Sequence, residues 1–493
     1  MKKIYLYSTV FLLASAALLS SCKSKEISRD SEKKEISKGP DGREPPKGRP
    51  GDKNGPASGE LAMGKFGPGP GGKSGGKSGG RPGDLPDGKP GEMPEGMPEG
   101  MPGPKRTSAY EPECLDSSAQ SLVYTFENER GLKVTYHAKY IIDGKNVTYS
   151  AEDFDGGKVT VSAANEIAFL VINGGTLTLN NVSIEKTGDA DEKTLDGDAY
   201  NFYGINNALV AVGKNSKMIL NGVEVMTNAL HANAVFATDG AEITVNDGIT
   251  ISSFKRGSRG FFASYGGSVV CKEGNVNITT RGNNSAALAT DRGGGNITLL
   301  GKNNLLNTQA NDSPCIYSTG NITASGVTGK AETAQTLVIE GLNNVNISDS
   351  TFTGARKGQG AIMIYQSFSG DASVGEGKLN IENCIFYNQY ADDDEAMFYV
   401  TNTNALVNIQ NCTFYAGTEE KSYGKNNYFV LCEENSGRHW GRSGMNGGQI
   451  TMTISGSNQA GLLKAAEKDS VITVKGETKN LEKDTASKGK ISI

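Results

Sequence analysis

The chain has 493 residues, 50 Lys+Arg against 55 Asp+Glu, a formal net charge of −5, and a hydrophobic share of only 36%. Near-balanced charge argues against a nucleic-acid partner, because phosphate contacts need an excess of Lys and Arg. The hydrophobic share is low for one packed domain of this length and sufficient if part of the chain does not fold.

In chain order, Met1-Lys2-Lys3 is a basic start and Ile4 to Leu19 an apolar run. The run is too short and wrongly flanked to span a bilayer, so residues 1–21 read as a cleaved signal peptide. Leu19-Ser20-Ser21-Cys22 follows at once and resembles the bacterial lipobox, in which the Cys is acylated and becomes the new N-terminus. That resemblance implies lipidation of Cys22, a membrane partner reached through its acyl chains, and a bacterial membrane-anchored lipoprotein exposed at the cell surface. An ordinary signal peptide with a chance Cys is the alternative.

Residues 22–110 read as a lipid-anchored, disordered tether. Between Gly39 and Pro104 stand 21 Gly and 14 Pro in 66 positions, and the rest of the chain holds only Pro112 and Pro314. Such a segment cannot bury enough apolar surface to offset its backbone entropy. Glycine does not recur at every third position, which excludes a collagen helix. The six further Cys (Cys114, Cys271, Cys315, Cys384, Cys412, Cys432) are even in number, which permits disulfides, but they show no metal spacing and most read as small buried hydrophobes.

Residues 111–493 change texture to Thr, Val, Ile, Asn and Gly in short alternating runs. Apolar-x-apolar motifs recur: Leu177-Thr-Leu179, Met218-Ile-Leu220, Ile243-Thr-Val245, Ile297-Thr-Leu299, Val345-Asn-Ile347, Leu379-Asn-Ile381 and Val407-Asn-Ile409. A second register of apolar strands centres on Leu209, Val235, Phe262, Leu288, Ile316, Val338, Ile364, Phe398 and Val430. Two strands per unit of about 25 residues, with Asn and Gly at the turns, predict coils that stack on one another at ~4.8 Å. The expected fold is all-β: a right-handed parallel β-helix, or solenoid, preceded by a disordered Gly/Pro-rich tether.

At this point the sequence resembles right-handed, pectin-lyase-like β-helix proteins, and within them bacterial surface lipoproteins with Gly/Pro/Met-rich leaders. The resemblance rests on Ala289-Thr-Asp-Arg-Gly-Gly-Gly295, Ile316-Tyr-Ser-Thr-Gly320, Ile339-Glu-Gly-Leu-Asn343, Tyr365-Gln-Ser-Phe-Ser-Gly-Asp371, Phe398-Tyr-Val-Thr-Asn-Thr403 and the segment from Trp440 to Gly448. It implies fold and location and brings no catalytic residues with it.

Candidate chemistry is sparse. Asp239, Asp291 and Glu340 fall at similar phases, each two coils from the next, hence about 10 Å apart. Asp291-Arg292 is the strongest acid/base candidate, with an ion pair that fixes the turn as the structural alternative. His137, His231 and His439 are too scattered for a metal site. Alternation predicts an outward, partly aromatic stripe on the second register: Val210, Phe236, Ala263, Ala289, Tyr317, Ile339, Tyr365, Tyr399 and Leu431. Sugar rings stack on such platforms, with Gln366, Asp291, Arg292, Asn402 and Glu340 placed to take hydroxyls. The alternative is that the insertions at Gly188–Gly204, Gln366–Gly377 and Tyr415–Gly448 cover the stripe. The first insertion gathers Asp189, Asp191, Glu192, Asp196 and Asp198, oxygen ligands suited to Ca²⁺ but off the EF-hand spacing. No cofactor is required.

The leading functional expectation is a non-catalytic adhesion module that recognises an extended polysaccharide or other surface glycan. A polysaccharide lyase or glycoside hydrolase on the same fold is the alternative. A structural surface protein that contacts another protein is the second.

Overall fold

The computed structural model describes residues 108–493 apart from 130, 194, 368 and 436–445. The leader 1–21, Cys22, the tether up to residue 107, His439 and Trp440 lie outside the described residues. Ala109–Tyr110, the last positions of the stretch read as tether, already pair in parallel with Lys133 and Val134.

The chain winds into a right-handed parallel β-helix with three long sheets of 15, 13 and 11 strands. Between residues 133 and 416 each coil lays one strand in each sheet, and the last coils keep only the first two sheets. Val235–Thr238, Glu242–Val245 and Ile249–Ser253 make one such coil, and Phe261–Ala263 starts the next. Coils therefore carry three strands, not the two that the sequence repeat predicts. The third strand is separated from the second by a single Gly or Asn at several turns, so Met218 to Val225 reads as one run until the chain is seen to bend at Gly222.

That bend has a local cause. Asn181, Gly222, Gly326, Asp349, Asn383, Asn411 and Gly456 occupy it in seven coils, all left-handed with φ of 49–62°. Only Gly, Asn and Asp adopt this conformation cheaply. The amides also bond along the stack: Asn411 Nδ2 donates to Asn383 Oδ1 at 3.3 Å, and Asn383 Nδ2 to Asp349 Oδ1 at 3.2 Å. Cys384 and Cys412 follow these Asn residues in adjacent coils, and Thr413 N–H donates to Cys384 O at 2.8 Å. All six Cys in the described part are free thiols.

Second-sheet strands alternate, as in Asn344–Ser348, where Val345 and Ile347 are buried and their neighbours partly exposed. The inward residues form one continuous core from Ile142 to Leu481. Phe352, Phe386 and Phe414 stack coil on coil at 5.5 and 5.9 Å. Gly329 precedes them in the column, and a Cβ there would run into the Phe352 ring.

First-sheet strands are different, because both faces are buried. Their outer face packs into a second apolar cluster containing Phe236, Phe262, Tyr317, Val338, Met363, Tyr365 and Tyr399. This corrects the predicted phase at two coils: Phe262 and Val338 point outward, whereas Ala263 and Ile339 belong to the inner core. When both faces of a short strand are apolar, alternation leaves no mark in the sequence.

The stripe is also not an exposed platform. The helix Gly197–Tyr203, capped by Asp196 accepting from Ala199 N–H, buries Phe202 and Tyr203 in this outer cluster. Phe126, just after the antiparallel strand Gln120–Thr125, packs edge-on against Tyr203 at 5.1 Å. Tyr124 Oη in that strand donates to Asp239 at 2.8 Å.

Candidate functional site

Asp291 and Glu340 stand at the ends of first-sheet strands two coils apart, with Thr319 between them, as the sequence phase predicts. Asp239 lies outside this group and accepts from Tyr124, Glu127 N–H and Asn128. The two insertions at residues 188–204 and 366–377 bring further side chains to the same place. The result is a cleft of about 310 Å³ lined by Asp198, Phe202, Arg259, Asp291, Tyr317, Glu340, Tyr365, Ser367, Ser369 and Asp371, among others.

Its floor is the buried carboxyl of Glu340. Tyr317 and Tyr365 hydroxyls both donate to Oε2 at 2.7 Å, and the Ser367 hydroxyl donates to Oε1. Burial pushes the Glu340 pKa up, with Asp371 adding to it, against the pull of these donors. Asp291 is held by Arg259 Nη2 at 3.3 Å and by the Arg292 backbone N–H at 3.0 Å. Burial first, and then Asp371, push its pKa up to about 8. Asp198 is likewise raised, by burial and then by Asp371. Asp371 is thus the common negative neighbour of three carboxyls.

Arg292 closes one side. Its Nε and Nη2 donate to Asp371 Oδ1 at 2.9 and 2.7 Å, and its guanidinium lies 4.1 Å above the Phe202 ring centre. The expected side-chain pair of Asp291 with Arg292 is therefore corrected: Arg292 pairs with Asp371, and Asp291 with Arg259. Arg259 lies over Phe262 at 4.5 Å, and its Nη1 is buried with no protein acceptor.

Of the expected glycan contacts, Asp291, Tyr317, Glu340 and Tyr365 line the cleft, and Arg292 braces it through Asp371. Tyr317 is 7% exposed, Tyr365 and Tyr399 are 1%, and Phe236 is fully buried, so none of these rings presents a free face. Phe236 stacks on Phe262 at 5.0 Å. Gln366 and Asn402 lie to one side, with Asn402 Nδ2 donating to Gln366 O at 2.8 Å.

The acidic insertion disperses its carboxylates. Asp189 binds Lys255 and the Leu230 N–H, and Glu192 binds Arg256 and His231. Asp191 accepts from Lys193 N–H, Asp196 caps the helix, and Asp198 alone reaches the cleft. Ca²⁺ there would have to displace Lys255 and Arg256. Among the described residues no three His, Cys, Asp or Glu side chains form a group that could hold a metal ion.

Sequence reasoning missed Arg259, Ser367, Ser369 and Asp371 as site residues. Asp371 had a signal, a carboxylate in the middle of an insertion that follows Tyr365; Arg259 had none, since it precedes its strand in an ordinary Gly-Ser-Arg-Gly turn. Comparison with protein-family models, with curated proteins and with solved structures gave no match. The chemistry available in the cleft is an Asp291 carboxyl whose pKa is pushed up to about 8, the Arg259 guanidinium, serine hydroxyls, and acceptance at Asp371.

Proposed function

We propose that the chain is a pectin-lyase-like bacterial surface lipoprotein, anchored by Cys22, whose β-helix recognises an extended glycan without turning it over. One observation carries this reading. The cleft sets donors and acceptors side by side across several coils of the β-helix, with the Arg259 guanidinium beside Asp291. A sugar hydroxyl both donates and accepts, so it suits a wall that mixes carboxyls, hydroxyls and a guanidinium. Binding of this kind works through polar contacts at the cleft rather than through ring stacking on the tyrosines.

A second reading, a glycoside hydrolase or lyase, draws on the raised pKa values of Asp291 and Glu340. A carboxyl protonated at neutral pH beside another carboxylate is the usual arrangement for a general acid and its partner. Strand spacing sets Asp291 and Glu340 about 10 Å apart, beyond the usual separation of a glycosidase pair. Asp371 is therefore the partner such a mechanism would use.

The test is a glycan array with the full-length chain, followed by assays for new reducing ends and for ultraviolet absorbance of unsaturated products. Retention on a defined glycan with neither product supports the binding module. Product formation abolished by Asp291→Asn assigns the enzyme instead.

A further inference from the structure

The outer face of the second sheet carries a different surface. One column of residues runs up it in register: Thr298, Thr323, Asn346, Asn380, Asn408 and Thr453. Six consecutive coils place only hydroxyls and amides there, partly or fully exposed at every step. The amides are ordered along the stack. Asn408 Nδ2 donates to Asn380 Oδ1 at 2.8 Å, Asn380 Nδ2 to Asn346 Oδ1 at 2.8 Å, and Asn346 Nδ2 to Thr323 Oγ1 at 3.4 Å. From Thr323 to Thr453 the column lines a groove of about 400 Å³ whose lining residues all belong to second-sheet strands, and Glu382 is its one charged member.

We propose that this groove binds an extended, uncharged, β-linked polysaccharide lying along the helix axis, on a surface separate from the cleft. Asn346 and Asn408 each spend one N–H on the coil before and keep a second N–H and a carbonyl lone pair for an outside partner, whereas Asn380 spends both N–H groups, on Asn346 and Asn344, and keeps a carbonyl lone pair. Hydroxyl or amide groups are thus offered at successive coils, ~4.8 Å apart, over about 19 Å from Thr323 to Thr453. Hydroxyls, which donate and accept, match that offer; charged groups do not. No Lys or Arg lines the groove, which disfavours a polyanion. The apolar and aromatic anchors of a protein interface are absent from the column, and a sheet face offers no strand edge for another chain to extend.

The test is calorimetric titration of the full-length chain with β-1,4-linked hexasaccharides of glucose, N-acetylglucosamine, xylose and mannose, with α-linked maltohexaose for comparison. Two variants address the groove. Asn408→Asp replaces a ladder donor without changing shape, and Thr453→Lys fills the groove from an exposed position while leaving every amide bond in place. At least one β-linked hexasaccharide should bind more tightly than maltohexaose, and each variant should weaken it about ten-fold or more. Thr453→Lys, set beside Lys475 of the next coil, should lower the melting temperature only slightly. Failure of all four sugars, or affinities within about two-fold of wild type in both variants, overturns the inference. Loss of binding in Arg259→Ala but in neither groove variant would also overturn it while leaving the cleft reading intact. A dimer that Thr453→Lys dissolves in sugar-free buffer would assign the face to a second copy of the chain and overturn it too.

Discussion

Asp291 couples folding to pH in a direction opposite to that of an ordinary salt-bridged carboxylate. Its pKa rises from 3.8 to about 8 on folding, so between these values the folded chain holds a proton that the unfolded chain has lost. The stabilisation is complete below the unfolded value and is lost as pH rises toward 8. Asp291→Asn keeps the shape and removes the proton, so its melting temperature should fall less steeply over that range than that of the wild type. Parallel curves would mean that Asp291 ionises normally. Tyr365 tests the same wall. As an exposed stacking ring it would be dispensable for folding, but it is 1% exposed and bonded to Glu340. Tyr365→Ala should therefore cost about 3–5 kcal/mol in urea unfolding, and a cost below about 1 kcal/mol would mean that the ring is not part of the packed wall.

At the scale of elements, what the sequence displays is set by whether a strand has one wet face. Second-sheet strands such as Leu379-Asn-Ile381 alternate and announce themselves; first-sheet strands such as Ile362–Tyr365 are buried on both sides, and their register at Phe262 and Val338 could not be read. The cleft was half legible for a related reason. Asp291 and Glu340 share a column and obey the repeat, whereas Asp198 and Asp371 arrive on insertions that have no period. The turns between second and third sheets were legible through their Asn and Gly. At Asn383, φ is 53° and the side chain bridges two coils. Asn383→Ala should cost about 1–2 kcal/mol for the left-handed backbone alone, with the lost amide bonds added. Asn383→Gly, free of the backbone term, should cost less. Equal losses in the two variants would show that the amide ladder, not the backbone, fixes the bend.

Across the β-helix as a whole, coils that contact only their neighbours make a stack whose length scales with coil number. Such a stack suits a partner that is itself long, and two polar surfaces run along this one: the cleft on the first sheet and the amide groove on the second. Display of the β-helix at a membrane depends on the sequence reading of Cys22. Cys22→Ala should leave the protein in the soluble fraction or block its processing, and mature variant that still sediments with membranes after a high-salt wash would contradict the anchor. The claim that matters most is that the cleft takes a glycan, and affinity in Arg259→Ala tests it most directly. Calorimetry with the best ligand from the array should show binding weakened about ten-fold or more in Arg259→Ala, with Lys330→Ala, on the third sheet, unchanged. A folded Arg259→Ala chain that binds as tightly as the wild type, or an array on which no glycan is retained, would contradict it.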